Sequence, residues 1–309
     1  MTAADPLVSV IVATNRVSRF LPEALESVIH QTYAQLELVI VDDGSPDARA
    51  VERAAGSVAG ARTIRIAASG VSVARNVGVG MTSGAYLVFL DDDDRWLPDR
   101  LAAQVAALEA AQDAVASYCG MQVIDASGRV VVRADQWQVD GPLDIARGQG
   151  GILLPNLMIR RSEFLAVGGF HSRMRQAEDL DLTLRLAGRG PFVFVDRTLT
   201  EYRTHEENTT KRTRELVGSI RRIVELHRSD ARARGDQPLA DALTERLRHN
   251  ERYAWWRATG SARRSLARGD VRGAASAIWW ALRTQPRGLP GGVQSRLGRR
   301  FSRRARPRH

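Results

Sequence analysis

The chain has 309 residues, a net charge of +10 and one cysteine, Cys119. A lone cysteine excludes a disulfide framework and a cysteine-based metal site, and it fits a reducing compartment. No apolar run approaches the roughly 18 residues of a membrane span, and the N-terminus lacks a basic leader. We therefore expect a cytoplasmic protein, peripheral at most to the inner face of the membrane.

The first 112 residues alternate short apolar runs with helical patterns. Such alternation predicts an α/β fold, a mostly parallel sheet flanked by helices, whose ligands bind beyond the carboxyl ends of the strands. Two acidic clusters, Asp42-Asp43 and Asp91 to Asp94, lie at that edge. In chain order we predict strands at 7–14, 36–43, 61–67 and 85–92, and helices at 21–32, 46–57, 71–82 and 98–112.

The pattern becomes less regular from about residue 115. We predict a hairpin that turns at Ser127-Gly128, then a strand and a short helix before the glycines of "GGF". A helix at 178–190 and a last strand, "PFVFVD", follow. Strand patterns end near residue 206, so we divide the chain into a domain at 1–205 and an Arg-rich helical region at 206–309.

Four consecutive aspartates, Asp91 to Asp94, follow the fourth strand in "FLDDDDRWLPDRL". One or two such acids are typical of a helix start, where Asp94 or Asp99 would cap the helix near Pro98. Four adjacent carboxylates repel one another, and they become favourable when a hard divalent cation lies among them. We therefore favour a site for Mn²⁺ or Mg²⁺ and a diphosphate over capping alone.

Two further stretches offer contacts to a nucleotide. Asp42 and Asp43 in "VDDGSPD" either form a turn or accept hydrogen bonds from a uracil-type ring or a ribose. Arg75 lies in "SGVSVARNVGVGMTSG", whose glycines do not match a dinucleotide-binding loop. Arg75 is therefore either a helix-surface residue or a nucleotide contact.

Acidic residues and a histidine in the last part of this domain could act in catalysis. Glu178, Asp179 and Asp181 begin a helix, where acids are favoured by the helix dipole, or one of them supplies a general base. His205 in "EYRTHEENTT" is either structural or a contact to metal or phosphate.

In this order, the motifs resemble those of the inverting family 2 glycosyltransferases of the GT-A fold. The resemblance covers about residues 7–205, and the motifs are specific together although each is weak alone. It implies a metal-dependent enzyme that moves a sugar from a nucleotide-diphosphate donor to a hydroxyl group. The matching stretches are "VSVIVATNR", "LPEALESVIHQTY", "ELVIVDDGSPD", "GVSVARNVGVGMTSGAYLVFLDDDDRWLPDRL", "GGF" and "AEDLDLTLRL".

The resemblance also implies a role for individual residues. Asp93 matches the metal ligand of the D-x-D motif, Asp179 the catalytic base, and His205 a histidine near the metal and diphosphate. The positions implied for donor binding are Thr14 and Asp43 at the base, Asp42 beside them, Arg75 near the base or diphosphate, and Asp91 or Asp92 toward the ribose.

The chain departs from the family pattern at two points. Leu180 stands where tryptophan commonly follows the Glu-Asp pair, which places the shape of the acceptor pocket in doubt. The four aspartates also make the D-x-D register ambiguous by one residue, although the following Trp96-Leu97-Pro98 favours Asp91 and Asp93. The alternatives are a sugar-phosphate nucleotidyltransferase and a non-catalytic binding protein. The first usually needs a Gly-rich loop after the first strand, which "VATNRVSRF" lacks.

Positive charge is concentrated in the C-terminal third. Residues 1–205 carry 20 basic and 25 acidic groups, whereas residues 206–309 carry 25 basic and 10 acidic groups. The helical pattern at 269–287 predicts either a helix packed on the catalytic domain or an interfacial helix. The Arg-rich tail at about 290–309 is expected to be disordered. No nucleic-acid-binding signature accompanies it, so we favour an anionic membrane, where a lipid-linked acceptor would lie, over specific nucleic acid as a partner.

Overall fold

The computed structural model describes residues 5–16, 18–56, 58–206, 208 and 212–284. The chain divides into two compact units, with the boundary after Asn208. The predicted tail at 290–309 and the end of the predicted helix at 269–287 lie outside the described residues.

The first unit is an α/β domain, and its strands and helices agree with the predicted order. Its described strands are β1 (Val8–Thr14), β2 (Leu36–Asp43), β3 (Arg62–Ile66), β4 (Tyr86–Asp91), β5 (Arg95–Trp96), β6 (Ala116–Asp125), β7 (Val130–Val132), β8 (Leu157–Arg160) and β9 (Phe192–Thr204). Its described helices are α1 (Leu21–Ile29), α2 (Ala48–Gly56), α3 (Val71–Gly80), α4 (Arg100–Ala110), α5 (Pro142–Arg147), α6 (Arg161–Ala166) and α7 (Glu178–Ala187).

All nine strands of the described chain belong to one sheet, with the order β3-β2-β1-β4-β8-β6-β9-β5 and with β7 on β6. The parallel pairing expected for the first four strands is confirmed. The later strands make the sheet mixed, because β8 runs antiparallel to both β4 and β6, whereas β9 returns parallel to β6. The last predicted strand is longer than "PFVFVD" and continues to Thr204.

Alternation along β1 explains why helices cover both faces of the sheet. Val8, Val10 and Val12 point to one side and pack in a core with α1, α2 and α4. Ile11 points to the other side and packs with α3, α6 and α7. Successive side chains of a strand face opposite sides, so a strand buried on both faces is a continuous apolar run.

Parallel pairing aligns the polar ends of three strands. Thr14 at the end of β1 lies opposite Asp42 of β2, and Ala13 lies opposite Asp91 of β4. The two acidic clusters predicted at the carboxyl edge are therefore neighbours in the sheet, one on each side of β1.

The second unit consists of three described helices, α8 (Thr213–Ala233), α9 (Gln237–Ala267) and α10 (Val271–Thr284). Asp236 caps α9 by accepting a hydrogen bond from the backbone N–H of Leu239 at 3.1 Å. Within the described residues, no helix combines the length and apolar character needed to cross a bilayer.

Helix α3 approaches β1 closely at Gly78, and this contact generates a prediction about stability. A Cβ atom at Gly78 would lie 2.5 Å from Cγ2 of Ile11 and 3.2 Å from Cγ2 of Val41. We expect Gly78→Val to lower the free energy of unfolding by about 1–3 kcal/mol, because it overpacks the core.

Gly80 provides the matched control in the same helix. A Cβ atom there meets nothing within 4 Å, and its φ is not in the left-handed region. Gly80→Ala should leave stability unchanged or raise it by up to about 1 kcal/mol. Urea unfolding of both variants tests this, and equal stability of Gly78→Val and the unmodified protein would contradict the packing argument.

Candidate active site

The aspartates after β4 form a tight turn at the carboxyl edge of the sheet. The backbone N–H of Asp94 donates to the carbonyl oxygen of Asp91 at 3.2 Å, which closes the turn. Asp91, Asp93 and Asp94 each present one carboxylate oxygen to a common region, and these three oxygens lie within 4.8 Å of one another. The turn thus gathers three like charges that an extended chain would separate.

Arg203, near the end of β9, holds this turn in place. Its backbone N–H donates to Oδ1 of Asp94 at 2.7 Å, and its Nε donates to the carbonyl oxygen of Asp93 at 2.9 Å. The guanidinium group is buried, pairs with Glu23 at 2.6 Å and lies 4.4 Å from the ring centre of Phe20. Sequence reasoning missed this role, for which the only local signal is the "YR" before His205.

The helix-capping explanation of the acidic run is wrong. Asp99 occupies the N-cap position of α4, but its side chain makes no capping hydrogen bond. That side chain instead accepts from Thr32 at 3.1 Å and from Arg197 at 2.6 Å. Asp94 accepts from Arg203, so neither predicted residue caps the helix.

His205 contacts the acidic turn directly. Its Nε2 lies 2.8 Å from Oδ2 of Asp93, and both side chains are buried. Asn208, which sequence reasoning did not single out, donates from Nδ2 to the same Asp93 oxygen at 3.4 Å and accepts from the His205 backbone N–H at 2.5 Å. The structure therefore brings the two predicted metal-site residues together.

Three aspartates of the turn have raised pKa values, because the turn brings their negative charges together in a buried place. Burial, followed by the nearby charges of Asp93 and Asp91, raises the pKa of Asp92 to about 7, against the opposing effect of a hydrogen bond from Thr14. Burial and the charge of Asp91 also raise the pKa of Asp93. The pKa of Asp94 is raised well above its usual range by burial and by Asp93 and Asp91. Negative charge here is therefore destabilising unless something offsets it.

The composition of the turn fits a divalent cation. Its donors are carboxylate oxygens, the hard ligands that Mg²⁺ and Mn²⁺ prefer. Oδ2 of Asp94 is buried and has no hydrogen-bond partner among the described residues, so it can accept a cation or a proton. Sequence reasoning did not single out Asp94 as a ligand, although it belongs to the predicted acidic run.

Arg75 connects the acidic turn to the other acidic pair. Its Nη2 donates to Oδ1 of Asp91 at 2.5 Å, and its Nη1 donates to Oε1 of Glu178 at 2.6 Å. These carboxylates raise the pKa of the buried Arg75 against the opposing effect of desolvation. The guanidinium group also lies 5.5 Å from the ring centre of Phe170. The sequence indicated Arg75 as a site residue but not this double ion pair.

Other residues on the same face of α3 hold the segment that leads to Glu178. Ser72 donates to the carbonyl oxygen of Met174 at 2.8 Å. Asn76 donates to the carbonyl oxygen of Phe170 at 2.8 Å and accepts from its N–H at 3.0 Å. Residues 72, 75 and 76 share a helix face because they are three and four positions apart. One face of α3 thus positions residues 170–178.

Asp179 lies at the start of α7, one residue after Glu178. The helix follows Ala177, the one described non-glycine residue with a positive φ, at 58°. The Leu180 backbone N–H donates to Oδ1 of Asp179 at 2.8 Å. Burial and the neighbouring charge of Glu178 raise the pKa of Asp179 to about 6. A carboxylate with that pKa is mostly ionised at neutral pH yet more basic than an exposed one, as a general base requires.

The remaining predicted donor contacts lie at the ends of β1 and β2. Thr14 donates to Oδ2 of Asp92 at 2.5 Å. Asp43 accepts from the backbone N–H groups of Ser69 and Gly70 at 2.6 and 2.8 Å, which orients the loop before α3.

Asp42 has a local role in the loop after β2. Its Oδ1 accepts from the Ser45 backbone N–H at 2.7 Å, and its other oxygen pairs with Arg65. Asp42 is thus engaged in forming a turn, the alternative that its sequence context left open. Its contact with a donor stays a prediction.

Comparison with known proteins agrees with this architecture. The model of the family described as "Glycosyl transferase family 2" matches residues 9–169. An uncharacterized glycosyltransferase of Rickettsia felis is 28% identical over 220 residues, which cover 67% of this chain and 36% of that protein. A chondroitin synthase of Escherichia coli is 26% identical over 207 residues, 66% of this chain and 30% of the synthase. The chain therefore spans about a third of the length of these two relatives.

Solved structures show the same fold. The crystal structure of residues 1–349 of S. aureus TarS in complex with UDP-GlcNAc matches with a TM-score of 0.62. The match covers 88% of this chain and 90% of that one at 18% sequence identity. The predicted GT-A fold is confirmed by this similarity.

Proposed function

The chain belongs to glycosyl transferase family 2 and is a glycosyltransferase, and from this premise we propose its donor, metal and base. It transfers a sugar from a UDP-sugar to a hydroxyl of a glycan or lipid-linked acceptor, with inversion at the anomeric carbon. The observation that carries the proposal is the Arg75 bridge, which joins the acidic turn to the Glu178-Asp179 pair. A donor-binding group and a base are thus held on one rigid support.

A nucleoside-diphosphate donor suits the carboxyl edge of the sheet. The S. aureus TarS structure that shares the fold is a complex with UDP-GlcNAc, which supports a uridine donor. We propose that Thr14 and Asp43 contact the base with Asp42 beside them, and that Asp91 or Asp92 lies toward the ribose. Arg75, with both guanidinium branches on carboxylates, would position Asp91 and Glu178 beside the diphosphate.

The acidic turn would hold a Mn²⁺ or Mg²⁺ ion. Asp93 and Asp94 offer buried carboxylates, Asp91 a more exposed one, and His205 orients Asp93 through their hydrogen bond. A bound cation would offset the charge that develops on the diphosphate leaving group. Arg203 would help hold the proposed ligands together through its hydrogen bonds to Asp94 and to the backbone of Asp93.

Asp179 would take the proton from the acceptor hydroxyl. Attack then comes from the face of the sugar opposite the diphosphate, which inverts the anomeric carbon. The similarity to a chondroitin synthase supports a carbohydrate acceptor and a role in polysaccharide or cell-envelope biosynthesis. Leu180, which is buried next to Asp179 in sequence, would shape the acceptor side in place of the family's usual tryptophan.

The direct test is an assay of donor turnover. The protein is incubated with a panel of sugar nucleotides, with Mn²⁺ or Mg²⁺ and with a chelator, and nucleoside diphosphate release is measured. We expect metal-dependent release from a UDP-sugar, and a loss of at least about 100-fold in Asp93→Asn. Release of pyrophosphate would instead support a nucleotidyltransferase, and no turnover with any donor and acceptor would support a binding protein.

The raised pKa of Asp179 predicts a pH profile. The base acts when ionised, so kcat with donor and metal saturating should fall about tenfold per pH unit below about pH 6. Glu178→Gln removes the charge that raises this pKa, so the fall should move to lower pH. Asp181→Asn is the control, because Asp181 lies on the same helix but pairs with Arg185. In this variant the fall in activity should occur at the same pH as in the unmodified protein.

Two outcomes of that experiment would contradict the assignment. One is an acidic limb that does not move in Glu178→Gln. The other is Asp179→Asn with near-normal turnover while its thermal unfolding matches that of the unmodified protein.

We further propose peripheral contact between the second unit and an anionic membrane. The exposed side of α10 carries Val271, Trp279 and Leu282, with Arg272 and Arg283 beside them, a composition typical of interfacial helices. Co-flotation with anionic liposomes should weaken in Trp279→Ser and on deletion of 290–309. Leu165→Ser, at an exposed leucine of the first unit, is the control. Undiminished flotation of both changed proteins would contradict the contact.

A further inference from the structure

A cavity in the second unit is lined by no residue of the acidic turn and has no role in the proposed catalysis. It has a volume of about 640 Å³, is partly open to solvent and is lined by side chains of α8, α9 and the end of α10. Small-molecule sites usually measure about 300–1,000 Å³, so the cavity can admit a ligand of the size of a sugar phosphate.

The walls of this cavity carry an excess of positive charge. Arg228 of α8, Arg248 of α9 and Arg283 of α10 line it, and none of these three has an ion-pair or hydrogen-bond partner among the residues that the structure describes. A fourth arginine, Arg221, is neutralised by Glu225 at 2.9 Å. Three arginines from three helices thus line one space, with Arg228 half-buried and Arg248 and Arg283 exposed. Guanidinium groups bind phosphate oxygens through paired hydrogen bonds.

Hydrogen-bond acceptors for hydroxyl groups lie on the same walls. Asn250 is only 6% exposed and donates from Nδ2 to the Val217 carbonyl oxygen at 3.0 Å. Its Oδ1 is buried and has no partner within the described part of the chain. An unsatisfied buried acceptor is unfavourable, and a small rotation of the Asn250 side chain would present Oδ1, which has no accessible surface as it stands, to a donor in the cavity. Glu251 and the Thr244 hydroxyl add further acceptors beside it.

We propose that this cavity binds a phosphorylated polyol or sugar, with the phosphate on the three arginines and the hydroxyl groups on Asn250, Glu251 and Thr244. A simple anion site would not need the acceptors, and a neutral sugar site would not need unpaired arginines. The ligand is either a soluble polyol phosphate or the glycerol-phosphate headgroup of a phospholipid. The proposal is independent of the catalytic function because it uses no residue of the acidic turn.

Isothermal titration of the full chain tests the site, in chelator and without donor so that the acidic turn cannot contribute through a metal. The probes are glycerol 3-phosphate, inorganic phosphate, glycerol, and phosphatidylglycerol vesicles. We expect saturable binding of glycerol 3-phosphate, about tenfold tighter than inorganic phosphate, and no binding of glycerol alone.

Variants that remove a positive or a negative charge from the cavity should change binding in opposite directions. They distinguish binding in the cavity from general attraction of anions to a basic protein. Arg248→Gln and Arg283→Gln should each weaken glycerol 3-phosphate binding about tenfold. Glu251→Gln keeps an acceptor but removes a negative charge, so it should strengthen binding about two- to threefold. Arg263→Gln, at an exposed arginine of α9 outside the cavity, is the matched control and should bind like the unmodified protein.

The outcomes are distinct. Binding of glycerol 3-phosphate that depends on Arg248 and Arg283 supports a soluble ligand. Binding of phosphatidylglycerol vesicles alone, with the same dependence, supports the lipid headgroup. The proposal is overturned if neither probe binds, if inorganic phosphate binds equally well, or if the cavity variants and Arg263→Gln behave alike.

Discussion

Repulsion among the carboxylates after β4 is the constraint around which the first unit is arranged. A chain that collects Asp91, Asp93 and Asp94 within 4.8 Å must supply contacts that keep them together. Arg203 supplies them from a strand that lies far away in sequence, through its backbone N–H and its guanidinium group. The raised pKa values of Asp93 and Asp94 show that these contacts do not remove the repulsion. The turn thus gathers negative charge that the proposed cation would offset.

The second organising contact is the buried Arg75. Its guanidinium group pairs with both Asp91 and Glu178, so the acidic turn and the Glu178-Asp179 pair share one support. Replacing Asp91 or Glu178 would leave the buried Arg75 guanidinium partly unpaired, which is destabilising in a low-dielectric environment. Helix α3 packs closely on β1 at Gly78, and its Asn76 donates a hydrogen bond to the carbonyl oxygen of Phe170. Helix α3 therefore links the acidic turn to the start of α7.

The sequence correctly predicted the strands and helices whose formation depends on neighbouring residues. Apolar alternation and turn residues located β1 to β4, and parallel pairing then placed Asp42 and Asp91 on the same edge. The antiparallel insertion of β8 between β4 and β6 was not predictable, because the choice of a strand partner depends on contacts far apart in sequence. For the same reason the sequence indicated the site residues but not the roles of Arg203 and Asn208.

The most direct measurement of the central claim is stability against pH with and without Mn²⁺. Carboxylates whose folded pKa is raised stabilise the fold at low pH and lose that contribution as pH rises from about 4 toward 7, the value for Asp92. The urea midpoint without metal should therefore fall across this range. Mn²⁺ should restore it most at pH 8, and less in Asp93→Asn. A midpoint that Mn²⁺ raises equally in Asp93→Asn, or not at all, would contradict a cation site in the turn.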